Sequence, residues 1–252
     1  LRVVYNELDE LFKTSLFYSK RLLANYYSNR AMMHSKLNEL ELAEQFGYLS
    51  IRQKNSDYLF YLANLCGVLL RSRKYSVALK LMNTSIPDLK KTNSFYNKIG
   101  FVSFYTRTLV YNKMAKNAVS YASTFLDAYK KEIFETRWHL FFTAYLQALL
   151  SAEKYSRLVA VAKHYNLLAL ENKIVDKTVY MPVILWYNEV ALYMEGKQTK
   201  EKMQETIISS ARILLQNKYK AGRINELLLS FSDSIPLEIE EIKASLFPLH
   251  EH

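Results

Sequence analysis

The chain has 252 residues, half of them apolar and 14% aromatic, which is enough to bury a core and excludes a disordered chain. Five Gly and four Pro are too few for an all-β protein with its closely spaced turns, and the single Cys66 excludes an intramolecular disulfide framework and a cysteine-rich zinc site. The net charge of +10, from 34 Lys and Arg against 24 Asp and Glu, favours acidic partners; it is spread along the chain, and the densest basic patches, 71–74 and Lys130-Lys131, read as solvated helix faces.

Apolar spacing predicts helices, in chain order, at about 3–13, 16–35, 38–53, 57–72, 75–85, 93–113, 116–130, 133–152, 155–171, 178–195, 199–216, 218–231 and 236–247. Asn38, Asn55-Ser56-Asp57, Asn93-Ser94 and Thr199 stand where helix start signals belong. Pro182 falls in the first turns of its helix, where a missing N–H costs least, and Pro87, Pro236 and Pro248 fall at helix ends. No linker or low-complexity segment interrupts the series, so the chain reads as one domain, 1–252, with 216–252 as a C-terminal cap. It starts at Leu1 rather than Met and fits a piece of a longer protein whose upstream part would complete the first helix pair.

No leader and no apolar run of membrane-spanning length is legible; the longest apolar stretch, 140–150, is broken by Thr143 and Gln147. No membrane insertion is expected. The lone thiol lies in an apolar stretch, Ala63-Asn64-Leu65-Cys66-Gly67-Val68, and reads as a small core residue that fits a reducing, cytoplasmic setting.

A repeat sits inside this series. Arg73 to Met82 reads RKYSVALKLM, and eighty residues on the chain reads EKYSRLVAVA. Leu62-x2-Leu65-Cys66-x2-Leu69 precedes Tyr75-x2-Ala78-x3-Met82, and Pro87 follows. The same alternation of large and small positions comes one unit earlier, in Tyr27-x2-Arg30-Ala31-x2-His34 before Leu40-x2-Ala43-x3-Gly47. It returns in Val102-x2-Tyr105-Thr106-x2-Leu109 before Ala115-x2-Ala118-x3-Ala122, and in Phe142-x2-Tyr145-Leu146-x2-Leu149 before Tyr155-x2-Leu158-x3-Ala162. A fifth unit begins with Trp186 and Tyr193 and turns at Gly196. From Ala43 to Ala78 is 35 residues, and the next two steps are 40 each. Over residues 24–215 this pattern resembles the tetratricopeptide repeat. The resemblance implies an all-α fold of the α-solenoid class, a right-handed superhelix of about five to six antiparallel helix hairpins, each unit contacting mainly its neighbours.

Catalytic and metal-binding constellations are not legible. His34, His139, His164, His250 and His252 share no i, i+4 helix face, and there is no H-E-x-x-H, P-loop, G-x-G-x-x-G or G-x-S-x-G. Glu238-Ile239-Glu240-Glu241, early in a helix, complements the dipole. The expectation is a non-enzyme without cofactor or metal.

Binding is the remaining possibility. The resemblance implies that first helices line a concave groove, where Asn side chains, with donors and an acceptor, pair with the backbone of an extended peptide. Asn29, Asn64 and Asn188 stand just before the second large residue of their first helices, where the third and fourth units carry Phe104 and Ala144. Arg107 and Gln147 follow three residues later in those two units, and Arg71 and Arg73 lie near the turn of the second, giving a positive lining suited to an acidic or carboxylate-bearing protein or peptide segment. At the positions where chaperone-tail-binding members of the family carry groove Lys stand Ser28 and Gly100, so that clamp is not expected. Two alternatives stand beside the peptide scaffold: a helical array that binds nucleic acid through Tyr, Arg and Lys, and a regulatory module whose chemistry lies outside the chain. A nucleic-acid surface needs a contiguous basic stripe, which the sequence does not show.

Overall fold

The computed structural model describes residues 19–135, 138–171 and 177–216. Among the described residues there are eleven α-helices, one 3-10 helix and no strand. In chain order they are α1 (Lys20–Lys36), α2 (Leu40–Arg52), α3 (Tyr58–Arg71), α4 (Tyr75–Thr84), α5 (Ile86–Lys91), α6 (Phe95–Tyr111), α7 (Ala115–Ala128), the 3-10 helix Glu132–Glu135, α8 (Trp138–Ser151), α9 (Tyr155–Glu171), α10 (Lys177–Met194) and α11 (Lys200–Gln216). The all-α expectation therefore holds for these residues. The segments expected at 3–13, 218–231 and 236–247, the cap 216–252 beyond Gln216, and Pro236, Pro248 and the Glu238 stretch lie outside the described residues.

Several start signals act as expected. The Ser94 hydroxyl accepts the Asn97 N–H at 3.3 Å, and the Thr199 hydroxyl accepts the Lys202 N–H at 3.3 Å, each satisfying a donor that the helix leaves unpaired. Asn55 Oδ1 takes the Asp57 N–H at 2.8 Å just before α3. Two prolines differ from expectation. Pro87 does not close its unit; it opens α5, in the first turn where its missing N–H has no partner to lose. Pro182 is the sixth residue of α10, past the four orphan donors of its start, so α10 lacks one backbone hydrogen bond there.

Asn38 also differs: it is not a helix start but a turn residue with φ of +62°. The same left-handed conformation returns at Arg73 (+57°), Lys113 (+62°), Glu153 (+56°) and Gly196 (+69°). Each stands at the end of a first helix, and each turn is closed by the same two bonds. The N–H of the left-handed residue reaches three residues back, as in Arg73 to the Leu70 carbonyl at 3.1 Å. The next N–H reaches five back: Glu39 to His34, Lys74 to Leu69, Met114 to Leu109, Lys154 to Leu149 and Lys197 to Leu192, all at 2.9 Å. This is the Schellman closure of a helix C-terminus. One device thus reverses the chain five times, and the two Lys-Tyr-Ser triplets occupy the same corner of two units, the Lys at the closing bond and the Tyr opening the second helix.

The contacts divide the chain into two compact units, Leu1–Ala144 and Tyr145–His252. In the first, each of α1, α3 and α6 packs on the helix that follows its turn, α1 packs on α3, and α3 on α6; α2 and α4 also pack on the first helix of the next pair. Small side chains allow this closeness: Ala31, Ala43, Cys66, Ala78, Ala118 and Ala122 are all buried. At two places a methyl would make a neighbouring side chain shift. A Cβ on Gly47 would lie 2.7 Å from Leu65 Cδ1, and one on Gly67 would lie 2.9 Å from Phe104 Cε1. In the second unit α9 packs on α10 and α10 on α11, around Trp186, Leu158, Ala162, Met203 and Ile207. There Glu195 accepts from Ser156 and pairs with Lys197 at 2.9 Å, and Gln198 Nε2 reaches the Glu189 carbonyl at 2.6 Å.

The spacing between turns explains the long periods. From Asn38 to Arg73 is 35 residues, and from Arg73 to Lys113 and Lys113 to Glu153 it is 40 each. The additional residues form α5 after α4, and the 3-10 helix after α7.

Candidate functional site

The face that α1 shows to α3 carries a polar seam in a constant register. Arg21 Nε meets Asp57 Oδ2 at 2.8 Å, the Tyr61 hydroxyl donates to Asn25 Oδ1 at 2.9 Å, and Asn64 Nδ2 donates to Ser28 Oγ at 3.1 Å. Arg71 Nη1 donates to the Ser35 carbonyl at 2.5 Å and to its hydroxyl at 2.6 Å. Every pair is 36 residues apart, and positions 21, 25, 28 and 35 share one helix face. The Arg71 contact puts a cation on the carbonyl end of α1, where the helix dipole favours it.

This seam decides where the expected groove residues stand. Asn64 is half-buried and uses a donor on Ser28. Arg71 donates to Ser35 across the α1–α3 interface. Arg107 donates through Nη2 to Thr143 Oγ1 at 2.6 Å, while its Nε is buried with no partner. Asn29 is exposed. Counted from the left-handed turn residue, Asn29 (38 − 9) and Asn64 (73 − 9) are equivalent, as are Phe104 (113 − 9) and Ala144 (153 − 9). Asn188 falls one position out of this register (196 − 8), and its Nδ2 donates to Glu189 Oε1 at 3.0 Å. Gln147, in the second unit, is buried with its Oε1 unpartnered. The structure thus brings Asn29, Asn64 and Arg71 onto α1 and α3, holds Arg107 on α6, and leaves Gln147 and Asn188 in the other unit.

A concave feature lies wholly within the first unit. Between α5, α6 and α7 is a cleft of about 810 Å³. Tyr105, Tyr121, Phe125 and Tyr129 give it an aromatic floor, and Lys90, Lys98 and Lys116 stand around it. The Tyr105 and Tyr121 rings meet edge to face at 4.8 Å, and the Tyr105 hydroxyl donates to Asn83 Oδ1 at 2.6 Å. Burial pushes the Tyr121 phenol up to about 12, with the neighbouring Tyr105 adding to the shift, and burial raises Tyr105 as well. Lys98 Nζ lies 3.3 Å from the Tyr129 hydroxyl and 5.3 Å from that ring's centroid. No acidic side chain lines the cleft. The groove pattern did not point to these lysines. The one signal of the cleft in the sequence is the 40-residue period, whose surplus builds α5 and with it the wall that carries Lys90.

Other chemistry-bearing groups serve the fold. His34 Nδ1 lies 2.6 Å from Glu39 Oε2, and its ring stacks on Phe46 at 5.2 Å beside the first turn. The Cys66 thiol is buried, and burial pushes it up to about 12, far from a reactive thiolate. Among the described residues no group of three or more His, Cys, Asp or Glu could hold a metal ion, and no helix is long and apolar enough to cross a membrane.

Over the described residues the class that the structure defines is therefore an all-α series of helix pairs, closed by one recurring turn. Compared with models of protein families, with curated proteins and with solved structures, the chain matches none.

Proposed function

We propose that the chain is a non-catalytic scaffold of the tetratricopeptide-like α-solenoid class, a right-handed superhelix of hairpins that binds a peptide or protein segment along its first helices. The observation that supports this reading best is the fivefold Schellman turn combined, in the first unit, with first helix packed on first helix. Units that repeat in this way bury their apolar faces on their neighbours and leave an extended surface of first helices for a partner. Asn29 and Asn64, equivalent in the turn register, supply backbone-pairing amides on that surface; Asn29 is exposed, and Asn64 keeps its carbonyl oxygen for an incoming N–H.

A pull-down from source-cell lysate, with and without nuclease, tests the reading with wild type, Asn29→Asp and Asn64→Asp. Mass spectrometry identifies the retained species. A protein held by wild type, lost by Asn29→Asp and indifferent to nuclease is the expected result. Capture that nuclease abolishes and the substitutions leave unchanged would replace it with the nucleic-acid alternative.

A further inference from the structure

We propose that the cleft walled by α5, α6 and α7 docks an acidic peptide segment with an apolar anchor between two acidic ends. The proposal rests on the reading of the chain as a protein-binding module, but it concerns other residues than Asn29 and Asn64.

Charge is the first argument. Lys90, Lys98 and Lys116 stand around the cleft and no carboxylate lines it, so every charged side chain of its lining attracts an anionic segment. Lys116 also lies in the first turn of α7, which carries no acidic residue, so the helix dipole adds to the preference for an anion at that end. Lys98, on α6, is held against Tyr129, which follows the other end of α7. From position 116 to 129 is about 20 Å of helix axis at ~1.5 Å per residue. An extended chain covers that distance in about six residues at ~3.3 Å each. Two acidic ends about six residues apart therefore match the two lysines.

The floor sets what lies between them. Tyr105, Tyr121 and Phe125 present aromatic carbon to a Leu, Phe or Met side chain. The raised phenol of Tyr121 stays protonated at neutral pH and can donate to a peptide carbonyl or carboxylate. The edge-to-face packing of Tyr105 with Tyr121 turns these rings on each other, which suits side-chain insertion better than the stacking of successive nucleobases.

The test uses the purified chain and fluorescein-labelled peptides with Glu or Asp at both ends and Leu or Phe between them, alongside the same peptides with Lys in place of every acid. Anisotropy should show binding of the acidic set alone, weakening with salt. Lys98→Glu and Lys116→Glu should each weaken it about tenfold, with the circular dichroism spectrum unchanged. Lys116 is exposed, so its reversal leaves the fold intact. Carbodiimide coupling should join peptide carboxylates to Lys90, Lys98 or Lys116. The proposal is overturned by no binding of the acidic set, by affinity indifferent to both reversals, or by coupling only to other lysines. Binding lost to Asn29→Asp but not to the lysine variants would overturn the cleft and leave the scaffold reading standing. Binding lost to the lysine variants, with a lysate partner that ignores Asn29→Asp, would support the cleft and remove the first-helix surface.

Discussion

The α1–α3 seam and the α5–α6–α7 cleft are built from the same repeating unit and use their polar side chains in opposite ways. In the seam, Arg21, Tyr61, Asn64 and Arg71 each find a partner 36 residues away, so the polar groups lock one first helix to the next. Around the cleft, lysines and phenols face a cavity of about 810 Å³ that no carboxylate enters. What separates the two is period. Pairs one and two repeat after 35 residues and close on each other; the step of 40 that follows adds α5, and α5 walls a space. Regular spacing yields structure here, and surplus spacing yields a candidate site.

Substitutions can break or sharpen this contrast. The largest effect is expected from Gly67→Val, which sets side-chain atoms where a Cβ would already lie 2.9 Å from Phe104 Cε1 and forces that ring out of its packing between α3 and α6. Thermal melts should show a loss of about 1–3 kcal/mol; an unchanged melting curve would mean that the close approach does not hold the helices. Arg71→Met removes both bonds to Ser35 while keeping length and apolar stem, and should cost about 1–2 kcal/mol in urea unfolding without altering peptide affinity at the cleft. If it weakens peptide binding as much as stability, seam and cleft are not independent.

A change in the other direction is expected at the turns. Arg73 holds φ of +57°, a conformation that Gly adopts without strain, so Arg73→Gly should stabilise the chain by about 0.5–1 kcal/mol. No gain would show that the Schellman geometry is not kept in solution. The cleft itself is probed by alkaline titration. The Tyr121 phenol rises from 10.0 to about 12 on folding, so the folded state holds its proton where the unfolded state has released it. The Tyr121 contribution is complete below pH 10 and falls away as pH rises towards 12. Tyr121→Phe should flatten that part of the stability curve, and an identical alkaline profile would count against a buried phenol. Least affected should be Ser120→Ala, at the exposed edge of the cleft, which should leave stability within about 0.5 kcal/mol.

Much of the architecture was legible. The helix expected at 155–171 coincides with α9, and the units marked by Ala43, Ala78, Ala118 and Ala162 have these residues buried against their neighbours. Helix periodicity is a local property, and a small residue at a crossing point leaves a direct trace in the pattern. The candidate site was less legible. Asn64 and Arg71 were readable as polar residues on a first helix, but a single strand of text does not say that Ser28 and Ser35 come within bonding distance of them. Asn188 looked equivalent to Asn64 until the left-handed residue at Gly196 set the register one position away. Pro87 looked like a stop because proline ends helices, yet it also starts them, and only the course of the backbone separates the two.

By itself, then, the sequence determined an all-α chain of paired helices, because hydrophobic period, scarce Gly and Pro, and recurring small residues act over a few turns at a time. The tertiary structure decided which polar side chains are consumed between helices and which face a cavity. That choice depends on the lateral register of helices far apart in the chain, 36 residues in the seam, and on where surplus residues are placed, and neither is encoded in any one stretch.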